Sequence, residues 1–138
     1  MKNLLFAISF IMLNASTCVM DDDKVPTYDA YIIVQNNTSL DMLYVLSYDN
    51  DTLLEEFSFL KDNTQMELAT IQAYNKSGEI GCDKEYLLNG GVYNLFLFDK
   101  QTVIKQPWDT IVERNMVLKR YDLNLHDLEA KKWTITYP

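Results

Sequence analysis

The chain has 138 residues, 48% hydrophobic, 23% charged and 12% aromatic, with 4 glycines and 3 prolines. This composition excludes disordered, collagen-like and disulfide-dense classes and fits one modest globular domain. The net charge is −8, and residues 18–62 hold ten acidic groups against Lys24 and Lys61 while residues 63–138 are nearly balanced; such an acidic front repels phosphate and anionic headgroups and argues against nucleic acid as a partner.

In chain order, the first element is a leader. Lys2 precedes Leu4 to Leu13, a run interrupted only by Ser9, and small polar residues lead to Cys18. Ten apolar residues rise only about 15 Å as a helix, half of what a membrane span requires, so the segment reads as a secretory signal. Ala15-Ser16-Thr17-Cys18 resembles the cleavage site of bacterial lipoproteins, which implies lipidation at Cys18 after removal of residues 1–17. Several acyl chains on one cysteine make a firm anchor. Asp21-Asp22-Asp23 resembles the acidic signal that routes some lipoproteins to the outer face of the outer membrane, and residues 18–28 also read as a solvated tether. The expected organisation is a signal peptide at 1–17, an acidic tether at 18–28 and one globular domain at 29–138. With Cys18 lipidated, Cys82 has no partner and is expected to be a semi-buried free thiol.

Strand patterns follow at Ala30 to Gln35, Met42 to Tyr48, Leu53 to Leu60, Met66 to Tyr74, Val92 to Phe98, Met116 to Tyr121 and Trp133 to Tyr137. Leu53, Leu54, Phe57 and Leu60 fit one helical face equally well. Turn chemistry separates the runs at Asn36-Asn37-Thr38-Ser39, Asp49-Asn50-Asp51, Lys61-Asp62-Asn63, Asn75-Lys76-Ser77-Gly78 and Asn89-Gly90-Gly91. Two short helices interrupt the strands near the C-terminus. One opens at Pro107 with Trp108, Ile111 and Val112 on one face; the other runs near Leu125 to Lys132, capped by Asn124, with Asp127 in the capping-box position and Leu123 and Leu128 as a hydrophobic staple. The expected fold is mainly β, a small β-sandwich-like domain with two helices near the C-terminus and with Met42 to Tyr48 and Val92 to Phe98, apolar on both faces, in its middle.

The segments Leu95-Phe96-Leu97-Phe98-Asp99, Pro107-Trp108-Asp109-Thr110-Ile111, Val117-Leu118-Lys119-Arg120-Tyr121-Asp122-Leu123 and Trp133-Thr134-Ile135-Thr136-Tyr137-Pro138 together resemble a group of small, uncharacterised lipoproteins of Bacteroides-type bacteria. The resemblance is clearest over residues 92–138, with an echo at Val34 to Ser39 and Tyr44. It implies length and an envelope location and carries no mechanism. Members of the group usually have Glu where His126 stands, which argues against catalysis by this histidine. Asp51-Thr52-Leu53 and Asp109-Thr110-Ile111 resemble the tripeptide that receives O-linked glycans in these bacteria.

The pattern contains no catalytic residue set, metal site or cofactor motif. His126 has no paired nucleophile, Asp49-Asn50-Asp51 lacks the glycine and twelfth-position Glu of a calcium loop, and a pair of carboxylates suited to glycoside hydrolysis is a matter of spatial separation. Among the aromatic residues, Tyr48 and Trp108 are the candidate ligand contacts, as stacking surfaces for a glycan, against the alternative that such rings fill a small core. The expectation is an outer-membrane, lipid-anchored protein, surface-exposed rather than periplasmic, that binds another envelope component or a glycan without catalysis. The alternative is a small carboxylate-dependent hydrolase acting on glycans.

Overall fold

The computed structural model describes residues 29–48, 54–75 and 80–138. Cys18, Asp21, Asp22 and Asp23, together with the rest of the expected leader and tether, and also Asp49-Asn50-Asp51 and Asp51-Thr52-Leu53, lie outside the described residues. The strands are β1 (Ala30–Asn36), β2 (Met42–Ser47), β3 (Thr70–Ile71), β4 (Ile80–Cys82), β5 (Tyr93–Asp99), β6 (Lys119–Leu123) and β7 (Thr134–Tyr137). A 3₁₀ helix (Leu54–Lys61) and five α-helices accompany them: α1 (Asn63–Leu68), α2 (Lys84–Leu88), α3 (Lys100–Lys105), α4 (Trp108–Glu113) and α5 (Leu125–Ala130).

The strands form two sheets, one in the order β4-β1-β7 and one in the order β3-β2-β5-β6. Every pair is antiparallel except β1 with β7, where Val34 lies opposite Ile135. β5 is the axis of the larger sheet, and its alternation explains why. Tyr93, Leu95 and Leu97 enter a first core shared with Ile32, Val34, Ile80, Cys82 and Ile135 of the smaller sheet, so the two sheets face one another across it. Phe96 and Phe98 enter a second core on the opposite face, roofed by Phe57 and Leu60 of the 3₁₀ helix, Met66 of α1, Val103 of α3, and Trp108 and Ile111 of α4. β2 divides likewise, with Met42 in the first core and Leu43 and Val45 in the second. Strands buried on both faces need apolar residues at both parities, and these two have them.

Two sheets and helices near the C-terminus are present as expected, but the fold is not mainly β, because among the described residues strand accounts for 34% and helix for 37%. The segment Leu53 to Leu60 is not a strand: residues 54–61 form the 3₁₀ helix, and its three-residue turn places Leu54, Phe57 and Leu60 on one inward stripe. Met66 to Tyr74 is not one strand either. Asp62 accepts from the amides of Thr64 at 3.0 Å and Gln65 at 3.1 Å and starts α1, leaving only Thr70–Ile71 to pair with β2. The strand expected over Met116 to Tyr121 begins later, at Lys119, because α4 ends in a tight turn. There Asn115, at φ 48°, lets the amide of Met116 reach the carbonyl of Ile111. Helices α2 and α3 were not expected. Each has an acidic N-cap: Asp83 accepts from Tyr86 N, and Asp99 from Gln101 N and Thr102 N.

The last helix and strand form where expected, but the helix ends at Ala130 rather than Lys132 and the strand opens at Thr134, with Trp133 in the turn between them. Asn124 accepts from Asp127 N at 2.9 Å to start α5, and Leu123 and Leu128 are both fully buried. Lys132 and Trp133 adopt φ of 51° and 58°, and the amide of Trp133 donates to the carbonyl of Leu128 at 2.7 Å. This six-to-one closure turns the chain directly into β7.

Candidate functional site

The opening of interest lies where β2 loses its neighbour. β3 pairs only with Met42 and Leu43, because the chain preceding it turns off into α1. Beside the remainder of β2 runs a groove of about 430 Å³, lined by Tyr44, Leu46 and Tyr48, by Ile80 of the β4 edge, and by Phe59 and Leu68 from the helical layer. Tyr48, Phe59 and Leu68 are all exposed, Leu68 to 70%. Apolar side chains of this size left open to water side by side mark an interaction surface.

Tyr48 stands at the groove in a fixed arrangement. Its ring lies 5.8 Å from that of Tyr86 and 5.0 Å from that of Tyr93, with Tyr86 and Tyr93 5.1 Å apart. The Tyr86 hydroxyl donates to the carbonyl of Tyr48 at 2.6 Å, which ties the end of β2 to α2. Tyr86 in turn requires a glycine beside it, since a Cβ on Gly91 would come within 2.4 Å of the ring. The Tyr93 hydroxyl accepts from the amide of Asp83 at 2.7 Å, and burial pushes its acidity well below that of a free phenol. Thus Tyr48 is 53% exposed yet backed by two anchored rings. Edge-to-face packing of this kind holds a ring in place at little further entropy cost on binding.

Trp108, the other aromatic residue expected to meet a ligand, is placed differently. It is only 8% exposed, packs with its centroid 5.9 Å from that of Phe98, and donates its indole N–H to the carbonyl of Leu54 at 3.0 Å. Its area and its polar atom are both used in the second core, well within the roof of the larger sheet. The sequence pattern therefore grouped two residues that the fold keeps in different surroundings.

Cys82 is a free thiol and fully buried rather than semi-buried; burial first, then the charges of Asp29 and Asp83, push its pKa up to about 11, so it carries no thiolate near neutrality. His126 is on the exposed first turn of α5, with Nδ1 3.7 Å from Asp127 Oδ1. Asp109-Thr110-Ile111 is inside α4, where Ile111 is fully buried. Of the carboxylates, Asp62, Asp83 and Asp99 cap helices, Glu67 pairs with Lys100 at 3.2 Å and Asp122 pairs with Arg120 at 2.8 Å. No group of three or more His, Cys, Asp or Glu side chains suited to a metal occurs among the described residues.

Phe59 and Leu68 were not anticipated as site residues. A signal for Phe59 does exist: it falls off the Leu54–Phe57–Leu60 stripe, so once that segment is helical it must project from the roof. Leu68 could be recognised only once α1 replaced the expected strand. No protein-family model, curated protein or solved structure matches this chain.

Proposed function

We propose that this protein is a non-catalytic binding module of the cell envelope, held at the outer membrane by lipid on Cys18 and displayed outward by the Asp21-Asp22-Asp23 signal. In this reading, the facing sheets form a small β-sandwich that serves as the scaffold. The observation that carries it is the apolar groove beside β2, with Tyr48, Phe59 and Leu68 exposed along it. Its described lining holds Gln65 but no carboxylate, and the acidic residues placed above serve as helix caps or ion-pair partners, which favours binding over carboxylate-dependent hydrolysis. No helix among the described residues is long and apolar enough to cross a membrane. The family resemblance over residues 92–138 points to the same compartment.

Two experiments test the reading. A photo-crosslinking amino acid at Leu68, introduced in cells, should give a discrete adduct with an envelope component, whereas the same group at Ile104, exposed on α3, should not; no adduct, or the same adduct from both positions, overturns the groove as the binding face. Cys18→Ala should release the protein from the membrane fraction, and substitution of Asp21, Asp22 and Asp23 by alanine should leave it anchored but protected from protease added to intact cells. Retention of the Cys18→Ala variant on membranes, or unchanged shaving of the triple variant, removes the anchor or the display signal respectively.

A further inference from the structure

The form of the groove points to the class of its occupant, an inference that rests on the binding reading above. Along β2 the backbone groups alternate between two neighbours: the carbonyl of Asp41 accepts from Lys100 N at 3.0 Å on the β5 side, while the amide of Tyr44 donates to Ala69 O at 3.0 Å on the β3 side. By this alternation the N–H and C=O of Leu46 turn away from β5, and β3 ends before reaching them. The groove runs beside that edge, with side chains from both faces of the larger sheet. Tyr44, Leu46 and Ile80 line it from the first-core side, and Val45, Phe59 and Leu68 from the helical side. A strand laid along β2 would thus send alternate side chains into apolar surroundings on either face while its main chain met Leu46, the geometry of β-strand addition. A glycan has no backbone amides to offer such an edge.

Charge selects among polypeptides. In the 3₁₀ helix, residues three apart eclipse, so Glu56 lies one turn from Phe59 on the same stripe, and Glu56 is exposed. No lysine or arginine lines the groove among the described residues, and the chain as a whole carries −8. A second copy of so acidic a chain is disfavoured there, and a basic partner is drawn to it. We propose that the groove receives an extended, cationic segment of a partner polypeptide, added as a further strand beside Leu46, where no described strand covers β2, with apolar side chains at alternate positions and a basic side chain near Glu56.

The test uses the full-length protein in zwitterionic nanodiscs and a fluorescent acetylated hexapeptide, KVTVKV, read by anisotropy. KVTVKV should bind, its acidic counterpart EVTVEV should bind more weakly, Glu56→Lys should weaken KVTVKV by about fivefold, the scale of one exposed charge pair, and N-methylation of alternate amides in the peptide should abolish binding. Equal binding of the N-methylated peptide overturns strand addition, and equal binding of EVTVEV overturns the cationic preference. Absence of KVTVKV binding, or concentration-dependent dimerisation through the groove, overturns the proposed occupant. These outcomes are separable from failure of the binding reading itself. A Leu68 crosslink to a glycan removes the polypeptide and keeps the binding face, whereas KVTVKV binding unaffected by Leu68→Ser, in a variant with an unchanged melting transition, removes the groove.

Discussion

Asn36 is the residue on which the first turn depends. It is fully buried, its amide donates to the carbonyls of Leu40 at 2.7 Å and Gln72 at 3.1 Å, and its carbonyl accepts from Thr38 N at 2.9 Å and Thr38 Oγ1 at 2.7 Å. Truncation would remove four hydrogen bonds made in part-buried surroundings, so Asn36→Ala should cost about 2–4 kcal/mol in urea unfolding; a loss below about 0.5 kcal/mol, the usual scatter for surface changes, would show that water replaces the side chain readily. Lys132 presents the opposite situation. It occupies the left-handed position at the end of α5, where glycine is free of the strain that a Cβ brings, and Lys132→Gly should stabilise the protein by roughly 0.5–1 kcal/mol. The same measurement on Gly90, at φ 85°, should give the reverse sign for Gly90→Ala.

At the scale of elements, the helices are short and depend on their ends and on one buried stripe, since so few turns are unstable alone. Asn124→Ala removes the cap of α5 and should cost about 1 kcal/mol in thermal or denaturant unfolding. Trp133 is instructive because it was expected to open the last strand. It is instead half-buried, ends the turn after α5 at positive φ, and packs against the first core only in part. Trp133→Ala should therefore cost about 2 kcal/mol, less than the roughly 3–5 kcal/mol of a full core truncation. A loss at the upper figure would mean that its ring closes the first core more completely than its exposure indicates. Lys61 joins two elements in another way, donating its ammonium to the carbonyl of Val103 and to that of Gln106, which secures the end of α3 against the 3₁₀ helix.

At the scale of the whole molecule, the first core holds a thiol and a phenol that resist ionisation. Cys82 is raised from an ordinary 9.0 to about 11, chiefly by burial, and Tyr93 is raised by the same cause. A group whose folded-state pKa lies above its unfolded value contributes stability that is intact below the unfolded value and is lost as pH climbs to the folded one. Unfolding free energy should thus fall by roughly 2–3 kcal/mol for Cys82 between about pH 9 and pH 11. In Cys82→Ala the alkaline loss should be smaller but not absent, because Tyr93 contributes in the same direction. Equal pH dependence in the two proteins would mean that Cys82 reaches solvent in the folded state.

Much of the scaffold was legible along the chain, because local patterns carry it. Apolar residues at both parities in Met42 to Tyr48 and Val92 to Phe98 marked the two central strands, and Asn124 with Leu123, Asp127 and Leu128 marked a capped and stapled helix, since periodicity and capping depend only on near neighbours. Asp62, Asp83 and Asp99 also carried cap signals, overshadowed by the strand propensities around them. The parallel pairing of β1 with β7 was not legible, because it joins residues about a hundred positions apart through no local turn. Nor was the difference between Tyr48 and Trp108, two large aromatic residues of which packing exposes one and buries the other. The sequence by itself determined the acidic front, the two central strands and the capped start of α5, all matters of neighbouring residues; only the tertiary structure decided where β3 stops, and so where Leu46, Tyr48, Phe59 and Leu68 meet beside an edge that no described strand covers, because an edge is defined by the strand that is missing from it.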